Sequence, residues 1–325
     1  GMDLVVSHRS KSPNDDMEAQ IALSVNSLGL KAGGGANTER LVKYQAVTEL
    51  MLKVAESGGQ HALRPGEQAI VSTIRAYEES TNAGIPTVGV TLELAIPTSG
   101  VRLGFKGATP LGTSAGTGEA IHLVDAVIEQ AEHRETITRF PGLFDEIEPE
   151  VFAFAKGTTE AEVTAARDDS LSSLFERAQR YGGKGCLNAV DNVLQIIAPR
   201  FEGVDLAGLG LKEIDSALLG LELATARRRG KLGEASNSSD EVSVMQRKQN
   251  LGMNALLSAS LALARAAAHV QGKELYELLR EEMLEIIDDL ASEHEVAVEG
   301  SGFEDYVEAL REVNRKLEEQ GRPLY

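Results

Sequence analysis

Between Ile74 and Leu123 the alternation of apolar and polar positions is more regular than elsewhere in the chain. Val88, Val90, Leu92, Leu94 and Ile96 recur at every second position, as in a strand with one face buried. Thr98-Ser99-Gly100 supplies a turn, and Val101, Leu103 and Phe105 alternate on the return. The pattern predicts a three-stranded antiparallel meander over about 68–108. A glycine-rich loop, Gly112-Thr-Ser-Ala-Gly-Thr-Gly118, comes next, and a helix is expected from near Glu119.

Residues 3–57 read as a βαβα unit. Asp3-Leu-Val-Val6 is a short strand, and Ser12-Pro13 with Asp15 is a helix-start signal. That helix would carry Met17, Ile21, Ala22 and Val25 on one face. Leu28 to Lys31 is a second strand and Gly33-Gly34-Gly35 a tight loop. Thr38 then caps a helix with Leu41, Tyr44, Thr48 and Met51 or Leu52 facing inward, stopped by Gly58-Gly59.

Further along, helical runs are expected near 145–156 and 160–180, and an amphipathic helix over Leu211–Leu223. Residues 227–243 read as polar and mobile, with Arg227, Arg228 and Arg229 on a solvated face. The alanine-rich stretch from Leu251 is a core helix, and 277–325 form one or two charged amphipathic helices. Strands first and helices afterwards give an α+β fold.

Composition narrows the function classes. With 325 residues the chain forms two domains or one elaborated one. Fifty acidic against 32 basic residues, net −18, argue against nucleic acid and anionic membrane surfaces as partners. The single cysteine, Cys186, excludes an internal disulfide or a cysteine zinc cluster. No apolar run approaches the roughly 18 residues of a membrane span, and no signal peptide precedes Ser7, so a cytoplasmic protein is expected. Gly1 ahead of Met2 reads as a tag remnant. On residue type alone, His8, Arg9 and Lys31 at two strand ends are either an anion site or three surface cations.

Two groups of motifs resemble the enolase family. Val6-Ser7-His8-Arg9-Ser10, then Lys31, then Glu39-Arg40 and Lys43-Tyr44 are similar to its carboxy-terminal S-H-R-S…K…E-R-x-x-K-Y run. Ile85-Pro86-Thr87-Val88 and the Thr109–Leu123 segment resemble the amino-terminal domain, with Ile85 where the family has Asn. Tyr181-Gly-Gly-Lys-Gly185, Ile197-Ala-Pro199, the helix from Leu251 and Gly272–Tyr276 add further likenesses. About half the chain is covered, with the family's order inverted.

The resemblance implies dehydration of 2-phosphoglycerate to phosphoenolpyruvate, a lyase reaction supported by Mg²⁺. By the same resemblance His8 would meet the substrate, and Arg9 and Ser10 would hold its phosphate. Lys31 would contact its carboxylate and the metals, and Ser114 would give an oxygen to the second Mg²⁺. The family's three metal carboxylates, general base and general acid have no recognisable counterpart here.

The expected organisation is a segment over 1–58 like the last quarter of an enolase barrel, then an enolase amino-terminal-like domain over 68–325. Helical insertions at 129–180 and 227–247 and an extension at 277–325 elaborate the latter. The expected partner is a small phosphorylated acid. A homo-oligomer and a partner chain supplying the missing barrel strands both stay open. The chain is then a partial, split or divergent enolase, or a non-catalytic relative that binds a phosphorylated metabolite or a protein.

Overall fold

A computed structural model describes residues 4–9, 11–34, 37–56, 63, 66–111, 119–233 and 236–322. The chain opens with two parallel strands, β1 (Val5–Ser7) and β2 (Gly29–Lys31), with Ser7 opposite Lys31. α1 (Met17–Ser24) joins them and α2 (Thr38–Glu56) follows. α1 starts about one turn later than Ser12-Pro13 predicts. Asp15 Oδ1 accepts the Met17 amide at 2.9 Å, while the Ser12 hydroxyl turns back to the Arg9 carbonyl at 3.1 Å. The side chain that meets a free helical N–H is therefore Asp15.

The inward faces of both helices differ from the expected ones. On α2, Leu41, Met51 and Leu52 are exposed and Tyr44 is largely so, while Lys43 is fully buried beside Leu50. The Lys43 ammonium donates to the carbonyls of Asp15 (2.9 Å) and Glu39 (2.8 Å) and lies 3.5 Å from the Glu18 carboxylate. With its donors met it is tolerated inside, and its inward position turns the apolar stripe of α2 outward. On α1, Ile21 is exposed, whereas Glu18 and Gln20 are buried. Gln20 Oε1 accepts the Tyr276 amide at 3.1 Å.

The meander is formed by β3 (Ile70–Ser80), β4 (Pro86–Ile96) and β5 (Val101–Ala108), in the order β3-β4-β5. Val71, Ile74, Val88, Val90, Leu92 and Leu94 enter the main core. Gly100, at φ +71°, closes the β4–β5 turn in the left-handed region that glycine adopts without steric cost.

The helix expected from Glu119 is absent. Residues 119–127 run without helix into β6 (Ile128–Glu129). Their backbone groups bond to distant partners: Ile121 to Arg247 and Met253, Leu123 to the Asn254 side chain, Asp125 to Gly185. These long-range bonds replace the local ladder a helix would offer.

α3 (Gln130–Arg139) then leads to β7 (Phe144–Glu148) and β8 (Val151–Phe154), in the sheet order β6-β8-β7. The helical run expected near 145–156 is thus a hairpin, reversed at Glu150 with φ +64°. Phe144, Phe152 and Phe154 contribute to a small core with Ile128, Ile137 and Leu171. Aromatic and β-branched residues at this density favour the pleated surface. The run expected at 160–180 is two helices, α4 (Glu160–Ala165) and α5 (Asp169–Gln179), capped by Thr159 and Asp168.

α6 (Leu187–Asn192), a π-helical turn at Val193–Ile197 and α7 (Ala198–Phe201) form one continuous rod. Then come α8 (Leu211–Arg228), α9 (Ser238–Arg247), α10 (Met253–Val270), α11 (Leu275–Glu293) and α12 (Phe303–Glu319). Of the stretch read as polar and mobile, residues 227–228 end α8 and 238–243 open α9. Arg227 pairs with Glu241, and Arg229, only 4% exposed, pairs with Glu132. Arg229 does not belong to a solvated face.

Ala255, Ala259, Ala262 and Ala266 let α10 lie close against the meander. A Cβ built on Gly107 would stand 2.2 Å from the Ser258 carbonyl oxygen, so only glycine fits there. The amino-terminal unit docks through Arg265 of α10, which bridges Asp15, Asp16 and the Lys106 carbonyl. Arg280 of α11 binds the end of α1 at Leu23, Ser24 and Asn26. Among the described residues no helix is long and apolar enough to cross a membrane.

Candidate functional site

The carboxyl ends of β1 and β2 carry His8, Arg9 and Lys31. The His8 amide donates to the Lys31 carbonyl at 3.1 Å, and His8 Nδ1 lies 3.1 Å from the same oxygen. Donation from Nδ1–H would leave Nε2 as an acceptor, the tautomer being inferred from this contact. The Lys31 side chain is exposed and has no ion-pair partner among the described residues. Parallel pairing alone therefore sets an imidazole and an ammonium on neighbouring strand ends, about 4.8 Å apart in the sheet.

Arg9 reaches a different part of the chain. Its Nη1 lies 3.7 Å from Glu119 Oε1, both side chains being more than two-fifths exposed. Two residues on, Lys11 and Leu111 form an antiparallel bridge with amide–carbonyl distances of 3.1 and 2.8 Å. Leu111 and Glu119 flank residues 112–118. Both flanks of that stretch consequently lie against the segment that follows β1. Ser10 and Ser114, the remaining site residues of the sequence reading, lie outside the described residues.

Arg9, Lys11 and Lys31 lie on the strand ends and the segment that follows β1, and among the described residues the ion pair found with these three is Arg9–Glu119. The Arg9–Glu119 pair is longer than a hydrogen bond and exposed, and such a pair contributes about 0–1 kcal/mol. An oxyanion can replace Glu119 at small cost, and the guanidinium offers it a two-pronged donor.

His122 is a further group that sequence reasoning missed. Both ring nitrogens are buried and lack a hydrogen-bond partner among the described residues. Burial pushes its pKa down to about 4, and the Lys11 charge adds to the effect. The signal was slight: a histidine three residues past Glu119, in a stretch expected to be helical.

A metal fits less well. Among the described residues there is no group of three or more His, Cys, Asp or Glu side chains placed to hold an ion. A hard cation such as Mg²⁺ needs several oxygen ligands, so the described residues do not supply the set the resemblance implies. Cys186 offers no reactive thiolate. It is buried, and burial raises its pKa above that of an ordinary thiol.

No family model matches the chain. Individual relatives do. An enolase of Methanococcus vannielii is 34% identical over 136 residues, 41% of this chain and 26% of its own length. One of Methanopyrus kandleri is 29% identical over 209 residues, 64% of this chain and 30% of the relative. One of Thermococcus kodakarensis is 35% identical over 106 residues, 33% of this chain and 19% of the relative. The chain thus spans under a third of the length of each of these relatives. Over the stretches they share, the chain is a relative of the enolases.

Proposed function

We propose that this enolase-like chain binds a small phosphorylated acid at the carboxyl ends of β1 and β2. Arg9 and Ser10 would hold the phosphate, Lys31 the carboxylate, and His8 the hydroxyl-bearing end. The observation that carries this reading is the position of Leu111 and Glu119 against Lys11 and Arg9. It draws the flanks of the glycine-rich stretch to the S-H-R-S segment, although about a hundred residues separate them. Ser114 belongs to that stretch, and its assignment as a metal ligand rests on the resemblance alone.

Dehydration of 2-phosphoglycerate needs more than these groups. The described residues lack a carboxylate cluster for a metal, and no step through Mg²⁺ is assigned to them. The remaining barrel strands would come from a partner chain. The exposed Leu4, Val5 and Leu28 on a two-stranded parallel sheet support this, because parallel sheets are ordinarily covered on both faces. The same lack of a carboxylate cluster favours, as the second reading, a non-catalytic binder of phosphorylated metabolites.

Calorimetric titration with 2-phosphoglycerate tests the binding claim. Wild-type protein should bind weakly and in a salt-sensitive way, and Arg9→Ala should lose at least tenfold in affinity. Arg315→Ala, on α12, should bind like wild type. Equal binding by wild type and Arg9→Ala would refute the assignment. Turnover to phosphoenolpyruvate by the chain alone would refute the need for a partner.

A further inference from the structure

Half of the large apolar side chains exposed among the described residues lie in the first 52 residues. Four of them, Leu41, Tyr44, Met51 and Leu52, belong to α2. α2 rests on α1 through its opposite side, where Lys43 and Leu50 are buried. There the Lys43 ammonium meets the Asp15 carbonyl and the Glu18 carboxylate. At about 3.6 residues per turn, the four exposed side chains project away from that contact.

The stripe has the spacing of a helix–helix seam. Leu41, Tyr44, Thr48 and Met51 follow one another at steps of three, four and three, with Leu52 beside Met51. This is the alternation through which two helices pack side by side. Leu41, Met51 and Leu52 are 47%, 62% and 58% exposed, and Thr48 is exposed as well. Tyr44 is fixed in place already. Its hydroxyl donates to the Gly33 carbonyl at 3.0 Å and accepts the Ala32 amide at 3.2 Å. A ring held in this way loses little freedom on association.

The stripe complements itself when two copies run antiparallel. Leu41 of one helix then faces Met51 of the other, and Tyr44 faces Thr48, about a twofold axis near Ala46. Gln45 and Val47 flank the seam at the axis, so no like charges meet across it. Antiparallel helices also oppose their dipoles. Arg40, in the first turn of α2, comes to lie by the last turn of the second copy, where the helix carbonyls favour a cation. A parallel pairing would set Thr48 on Thr48 and align the two dipoles.

We infer that α2 is the contact surface of a twofold-symmetric dimer, each stripe being covered by the same helix of a second copy. Two such seams would bury on the order of 1,000 Å², below the standard size of specific complexes. The dimer is therefore weak, with a dissociation constant in the micromolar range. Pairing through α2 involves no ligand at β1 and β2 and no strand from another chain.

Sedimentation equilibrium of the full chain, from roughly 1 to roughly 200 µM, tests the pairing. Wild type should pass from monomer to dimer over that range. Leu41→Glu combined with Met51→Glu brings like charges together across the seam and should raise the dissociation constant roughly tenfold or more. Leu41→Lys combined with Met51→Glu sets opposite charges across the antiparallel seam, and should dimerise roughly tenfold more tightly than the two-glutamate variant. Ile286→Glu, on α11 and equally exposed, should dimerise like wild type. Added salt should tighten the association, because it screens the repulsion between two chains of net charge −18. Wild type that stays monomeric throughout would overturn the proposal and leave the stripe to a different chain. A dimer unaffected by the two glutamates would overturn it as well, as would one that salt dissociates. A Lys–Glu variant no tighter than the two-glutamate one would overturn the antiparallel pairing, and the proposal with it.

Discussion

Removing the Arg265 guanidinium should loosen the whole amino-terminal unit. Nη1 and Nη2 grip the two oxygens of Asp15 at 3.1 and 2.9 Å, Nη2 adds Asp16 at 2.7 Å, and Nη1 donates to the Lys106 carbonyl at 2.6 Å. In Arg265→Met the nearly buried Asp15 keeps its charge and loses its counterion. Breaking a buried pair from one side costs about 3–5 kcal/mol. Arg265 keeps 17% and Asp16 27% side-chain exposure, so the lower end, about 3 kcal/mol, is expected. Urea unfolding of wild type, Arg265→Met, Asp15→Asn and the double variant completes a cycle. The cycle is needed because Asp15 also accepts the Met17 amide. A coupling of about 2 kcal/mol is expected, with faster amide exchange over α1 and α2 in Arg265→Met. A coupling below about 0.5 kcal/mol, or exchange unchanged in those helices, would refute the clamp.

Other predictions follow from single groups. His122, with its pKa held near 4 against an ordinary 6.5, is neutral when folded and takes a proton when unfolded. Its contribution is fully present above about pH 6.5 and is lost as the pH falls toward 4, by about 3 kcal/mol. Stability curves of wild type and His122→Leu should diverge over that window; parallel curves would contradict the assignment. Gly107→Ala should cost about 3 kcal/mol, because overpacking against the backbone of α10 has no easy relief, and a urea midpoint matching wild type would show that α10 yields. Cys186 should resist a thiol reagent in native protein and react once unfolded; fast native labelling would show that the core opens locally.

Much of the fold was legible along the chain. Period two over Val88–Ile96 and the turn at Gly100 marked the meander, and the alanine-rich run marked α10, because each signal is local and buried on one predictable side. The motifs around His8, Lys31 and the glycine-rich stretch were likewise written in adjacent residues. Tertiary structure decided the rest. Residues 119–127 stay out of a helix because Arg247, Met253 and Asn254 take their backbone bonds. The stripe of α2 faces outward because Lys43 finds its acceptors inside. Arg229 is buried because Glu132 and the Asn250 carbonyl meet it there. Arg9 stands by Glu119, 110 residues along the chain, and no local pattern encodes that pairing. Each of these depends on where a polar group finds its partner across the fold. Periodicity reports which side of an element is apolar, and it is silent about distant donors and acceptors that can reverse that side.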